Sequence, residues 1–394
     1  MTSPFAKKSL GLLKLYLLVF AIFLFFGVIY IAMAVSFVSV CTGVFFVILG
    51  VVLSILFVVL APFAWKPVQR WLEKGDLAFG DEQRAATRTG QYSSFVRTAN
   101  FPHFVIFIIM FFVVLPAASV VLLVAFFTGI PGLLLGLCCA VPLIILGIAS
   151  PAMAWISFIH SRDRLEPEPE WALLVAFSWG MLSCIPALFF NEFNGLIFGA
   201  VLAASGLSVS SDALVGVLSA PVFEEAFKAF GFVFIRNEVD NELDGLVYGI
   251  CFGVGFATIE NFSYAANALS TGGTLGFLLT SMFRGIFTVL LHIMGPAMIG
   301  FAYGWAKRNY KKGFDMFLPV AGAYLFGMLN HGVWNLMASL PMNVCLGLGW
   351  TLLHAIADVA LLCVLIVVAM RKDRQMYELH RGDYDKGRKP GAKR

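Results

Sequence analysis

Two adjacent glutamates, Glu224 and Glu225, stand inside the apolar run SAPVFEEAFKAFGFVFI, with Lys228 one helical turn later. A carboxylate in hydrocarbon is costly unless it is paired, protonated or facing water, so two side by side mark a place where chemistry is done. Glu224 and Lys228 are i, i+4 on one helix face and can pair. Glu225 is turned about 100° away. Unequal surroundings separate the proton affinities of two carboxyl groups, which is what a water-activating general base requires. The competing reading is a helix–helix salt bridge among Glu225, Lys228 and Arg284.

Other apolar runs supply partners. In FRGIFTVLLHIMGPAMIGFAYG, Arg284, Thr288 and His292 follow one stripe at i, i+4, i+8. His331 and Asn335, in GMLNHGVWNLMA, also share a face. They can present two donors to a developing oxyanion, or simply tie two helices together. Glu260 and Asn261 follow the glycine-rich DGLVYGICFGVGF, whose glycines permit close helix approach. Glu260 can act as a ligand or orient a histidine. His354 and Asp358 form one more i, i+4 pair, read as structural.

Glu224 or Glu225 with His292 and His331 gives a two-histidine, one-carboxylate set able to hold zinc with an open water position. The same residues can activate water without a metal, and the sequence leaves both routes open. There is no HExxH, no GxSxG and no GxGD-like segment in a span. The familiar helix-borne zinc motif and the serine and aspartyl intramembrane protease types are therefore not indicated.

These residues need helices to carry them. The chain has 394 residues, 60% hydrophobic and 13% charged, with a mean hydropathy of +0.88. That composition predicts an all-α, polytopic transmembrane bundle, since only helices and closed barrels satisfy their backbone in lipid. Apolar runs fall at 15–37, 40–64, 103–127, 130–158, 172–190, 195–209, 212–235, 245–268, 275–305, 316–338 and 346–370. The first reads as a retained anchor, with no cleavage site after it. The seven cysteines lie within apolar runs or, for Cys345, at the edge of one, without a CxxC, so neither disulfides nor thiolate metal sites are expected.

Residues 1–159 read as an N-terminal accessory region of four spans with a polar loop at 65–100. After HSRDRLEPEPEW (His160–Trp171), residues 160–370 carry nearly all the buried ionisable groups and read as the catalytic core. Residues 371–394 form a basic tail. The net charge of +4 reports membrane orientation, and no nucleic-acid partner is implied. If the basic loops and the tail are all cytoplasmic, one run must fail to cross. The short, Gly/Ala-rich 195–209 is the choice, as a re-entrant or non-spanning segment. About ten spans with both termini inside follow, with the ionisable groups sharing a pocket in the outer half of the membrane.

The ordered motifs EPEPEW, APVFEEAFK, DGLVYGICFGVGFATIEN, FRGIFTVLLH and NHGVWN resemble the PrsW family of intramembrane proteases over residues 160–340, extending toward 370. The family belongs to a superfamily with CAAX prenyl endopeptidases and bacteriocin-processing proteases. The resemblance places Glu224 and Glu225 at the EExxK motif, His292 and His331 at two histidine positions, Asn335 at the HxxxN asparagine and Glu260 at the EN motif. It implies a plasma-membrane endopeptidase that cuts a membrane-anchored protein of anti-sigma-factor type, by a metal- or glutamate-activated water. On this reading Glu224, Glu225, His292, His331 and Asn335 are catalytic, and Lys228, Glu260, Asn261 and Arg284 support them. The alternative is a proton- or ion-coupled transporter using the same buried groups, though no paired inverted repeats are found.

Overall fold

The computed structural model describes residues 101–128, 136–163, 165, 167–207, 209–310, 314–341 and 344–384. The runs 15–37 and 40–64, the 65–100 loop and the end of the basic tail lie outside the described residues. The chain divides into Met1–Gln91 and Tyr92–Arg394, and all described residues belong to the second unit.

Every regular element among the described residues is helical. The order is α1 (Phe101–Phe127), a π-helical turn (Gly136–Ala140), α2 (Val141–His160) and α3 (Glu170–Ser205). A short turn of helix (Ser211–Leu214) and a second π turn (Val215–Ser219) then lead into α4 (Ala220–Phe230), followed by Phe232–Ile235. Next come α5 (Glu242–Phe283), a third π turn (Arg284–Thr288), α6 (Val289–Asn309), α7 (Phe314–Ser339) and α8 (Val344–Tyr384). Six helices among the described residues are long and apolar enough to cross a membrane. One of these six, Glu242–Asn309, bends at Gly273, whose φ of 63° interrupts the helix.

The run 195–209 is not an element of its own. It continues α3, which spans 36 residues, or about 54 Å. Gly206 stops it in a left-handed conformation (φ 71°) that glycine adopts without a Cβ clash.

Glycines set the spacing of the core. Gly245, Gly249 and Gly253 recur every four residues along α5 and face the backbone of α6 at Gly300, Pro296 and His292. On another side of α5, Gly255 meets Phe177 of α3, and Gly180 of α3 meets Phe252. Any Cβ at these points would press on backbone rather than on a side chain that can swing away. Backbones brought this close fix α6 and α3 on α5 within narrow limits.

The start of α5 is a polar knot. Asn241 and Asp244 form a reciprocal capping box. Glu168, ahead of α3, accepts from the Tyr248 hydroxyl, and its backbone N–H donates to Asp163 Oδ2 at 2.9 Å. Arg308 at the end of α6 lies 2.5 Å from Glu242, and Lys372 of α8 lies 3.4 Å from the same carboxylate. The EPEPEW loop and the basic ends of α6 and α8 therefore gather at one end of the bundle.

Candidate active site

α4 is amphipathic in an unusual sense, because its inward face is charged. Glu224, Glu225 and Lys228 are all buried there, the last two completely. Gly295 on α6 and Gly327 on α7 leave the space that the Glu225 side chain fills.

Lys228 Nζ lies 2.5 Å from Glu225 Oε1. The expected i, i+4 pairing of Lys228 with Glu224 is thus replaced by an i, i+3 pairing with Glu225. The reason is tertiary. His331 from α7 also binds Glu225 Oε1, through Nδ1 at 3.0 Å, and the ammonium sits where it meets both Glu225 and the His292 ring, 3.4 Å from Nδ1. Its other face covers the Phe256 ring at 4.5 Å. With Glu225 accepting from an ammonium, the Nδ1 of His331 is the donor, and its Nε2 lone pair points elsewhere.

It points at Glu224. His331 Nε2 stands 3.8 Å from Glu224 Oε2, and that oxygen is buried without a hydrogen bond. Glu224 Oε1 accepts from Asn191 Nδ2 of α3 at 3.3 Å. Asn191 was not singled out from sequence; the one available signal is the polar pair in FFNEFNG within an apolar helix.

His292 and His331 meet edge to face, with ring centroids 5.4 Å apart. His292 Nε2 is in close contact with Glu260 Oε2. Arg284 meets the same oxygen through Nη2 at 3.0 Å and also donates to Asn261 Oδ1 at 2.9 Å. Thr288 reaches the same Asn261 oxygen at 3.3 Å. The Arg284–Thr288–His292 stripe therefore faces Glu260 and Asn261, as its spacing implies. The third π turn carries Arg284 and Thr288 at the entry to α6, and π turns are frequent at functional sites.

Asn335 reaches from α7 toward the segment ahead of α4. Its Nδ2 donates to the Gly216 carbonyl at 2.7 Å, in the π turn that leads into α4. A π turn frees carbonyls that an α-helix would use, and Asn335 takes one of them. One of its two amide protons is spent on that bond. His354 and Asp358 lie 3.5 Å apart on α8 and take no part in this cluster.

Donor atoms of Glu224, His292 and His331 all lie within 4.8 Å of one another. Zinc donors in a tetrahedral site sit about 3.3 Å apart, so a small contraction brings this set to an ion. The buried, unpartnered Glu224 Oε2 and the His331 ring held from behind by a carboxylate are what a metal site needs. Both ring nitrogens of His292 already have partners, which makes it the ligand that must rearrange most. By donor type and spacing the residues fit a divalent ion.

Comparison with known proteins shows the family. Residues 168–370 match the family described as PrsW family intramembrane metalloprotease. Protease PrsW of Geobacillus kaustophilus (strain HTA426) is 32% identical over 212 residues, covering 52% of this chain and 84% of that protein. No solved structure matches. The chain belongs to the PrsW family of intramembrane proteases.

Proposed function

We propose that this membrane protease hydrolyses a peptide bond in or near the bilayer of a membrane-anchored protein, with Glu224 as general base. The observation that carries this is the asymmetry of the two glutamates. Each keeps one buried oxygen without a hydrogen bond, but Glu225 is ion-paired through Oε1 with Lys228 and bonded there to His331, whereas Glu224 bonds no ammonium and its free Oε2 stands opposite a histidine nitrogen. A water between Glu224 Oε2 and the scissile carbonyl gives its proton to that oxygen as its own oxygen bonds to carbon. When the C–N bond breaks, the proton passes from Oε2 to the leaving nitrogen.

Glu225 and Lys228 hold His331 in one tautomer. Glu260, bound by Arg284, which Asn261 holds in turn, holds His292. Asn335 secures the π turn from which α4 starts. The alternative is a metal-activated water: Glu224 would then be a ligand together with His292 and His331, and zinc would supply a more acidic water and a polarised carbonyl in place of the carboxylate base. The Gly273-bent pair of helical limbs, and the site's separation from the basic end, support the rest of the assignment. α5 rises about 27 Å from Glu242 to Glu260, most of a hydrocarbon core of about 30 Å. If the end bearing Arg308 and Lys372 is cytoplasmic, the site lies toward the outer side of a plasma membrane, where an anti-sigma-factor-like substrate would be cut. About ten spans with both termini inside remain the proposed topology, with 1–159 accessory, 160–370 catalytic and 371–394 a basic tail. The transporter reading is not favoured, because both comparisons are with proteases.

The test is cleavage of single-span substrates by the purified chain and by Glu224→Gln, His292→Ala and His331→Ala, with metal content measured by mass spectrometry. Loss of cleavage in all three is expected; about one zinc per chain that falls in all three variants would make Glu224 a ligand rather than the base. Cleavage by Glu224→Gln at the wild-type rate would remove Glu224 from the mechanism. A chain that is fully active and metal-free would remove zinc.

A further inference from the structure

We propose that Asn191 is a positioning residue that fixes which oxygen of Glu224 meets the reacting water, and that Ser219 and Asn194 hold Asn191 in that setting; this rests on the reading of Glu224 as the base. Three polar side chains from α3 and the second π turn form one directed chain. Asn194 Nδ2 donates to Ser219 Oγ at 2.9 Å. Ser219 Oγ donates to Asn191 Oδ1 at 2.8 Å. Asn191 Nδ2 donates to Glu224 Oε1 at 3.3 Å.

The direction matters. Ser219 has one hydroxyl proton, and since it accepts from Asn194 it spends that proton on Asn191. An accepting Asn191 carbonyl turns the amide N–H toward Glu224. The N–H keeps Oε1 an acceptor and leaves Oε2 to take the proton from water. Without it the carboxyl group can rotate about its terminal bond, a broad and shallow torsion, and present either oxygen. Ser219 is buried and is the last residue of the π turn. The extra residue of that turn shifts the register ahead of α4 relative to α3, and Asn335 stabilises the turn by taking the Gly216 carbonyl. The chain from α3, the π turn and α7 thus converge on one torsion of one side chain.

The experiment uses the full chain in detergent with a panel of fluorogenic single-span peptides, taking the peptide that wild type cuts fastest. Asn191→Leu and Asn191→Asp keep the branching of the side chain and lose the amide donor. A hydrogen bond to a charged group of this kind is worth about 10- to 100-fold, and we expect kcat to fall by that factor with KM within about twofold. Ser219→Ala should give a smaller loss, and Ser219→Ala with Asn191→Leu should lose no more than Asn191→Leu alone. Glu224→Gln is assayed in parallel. A silent Glu224→Gln beside Asn191→Leu and Asn191→Asp at the wild-type kcat overturns the positioning role and leaves the base standing. An active Glu224→Gln overturns both. Retained kcat in Asn191→Asp, with Asn191→Leu failing to give a folded monomer by size exclusion, reduces Asn191 to packing. Additive losses in the double variant break the relay from Ser219.

Discussion

Lys228 is bonded to Glu225, the glutamate three residues before it, at 2.5 Å. The two neighbouring carboxylates consequently live in different company: Glu225 is ion-paired, and Glu224 bonds an amide. Removing one partner of a buried pair leaves an uncompensated charge, which costs about 3–5 kcal/mol. Lys228→Met should therefore lower the melting temperature of the detergent-solubilised chain substantially, and Lys228→Met with Glu225→Gln should recover much of the loss. A single variant that melts like wild type would contradict a buried pair.

Glu224 should behave in the opposite way. Its Oε2 makes no hydrogen bond and Oε1 accepts one from Asn191, so Glu224→Gln removes little that holds the fold together. Melting within a few degrees of wild type is expected, with turnover lower by roughly 100-fold or more. Glu225→Gln should lose both stability and activity. Equal melting losses in the two variants would mean that the asymmetry is absent in solution.

A pH effect on stability is expected at the polar knot, away from the site. Burial, and next the negative charges of Asp244 and Asp163, push the Glu168 carboxyl well above its ordinary value of 4.5. A raised folded-state value means that the folded chain holds a proton that the unfolded chain has released. The stabilisation is complete below about pH 4.5 and is lost as pH rises toward the folded value. Glu168→Gln imitates the neutral acid, so it should flatten this decline and gain on wild type as pH increases. Thermal melts of both proteins from pH 5 to pH 8 read the effect, and parallel curves would assign the decline to other groups.

Gly249→Ala tests the close approach of α5 and α6. A Cβ there meets the Pro296 carbonyl and the Ala297 Cα, both backbone. Overpacking of this sort costs about 1–3 kcal/mol. The variant should melt lower and lose activity together, because the same contact line continues to Gly253 and His292. Gly199→Ala, where open space surrounds the position, is the control.

Much of this was legible from charge in the wrong solvent. Glu224, Glu225, Glu260, His292 and His331 stood out because hydrocarbon penalises them, and the fold brings all five together. The glycine ladder of α5 was legible from its four-residue spacing. The partner of Lys228 was not, because i, i+3 and i, i+4 are equally open on a helix and His331 and His292, from α7 and α6, decide between them. The bond from Asn335 to the Gly216 carbonyl was not legible, because nothing in the sequence announces a π turn at Val215–Ser219. Asn191 and Ser219 were not legible as partners on the Glu224 side for the same reason. The 195–209 run looked weak as a helix from its glycines, yet it continues the turn periodicity of α3 until Gly206.

The bend at Gly273 has a consequence for how the protein is made. Glu260 and His292 ride on the two limbs either side of it, whereas Glu224 precedes the bend and His331 follows on α7. A ribosome finishing α6 has delivered three of these four side chains but not the one that sits beside both glutamates. Until α7 emerges, Glu225 has only its lysine and Glu224 faces no imidazole from that side. On the proposed roles, the site is complete only once this late helix is in place.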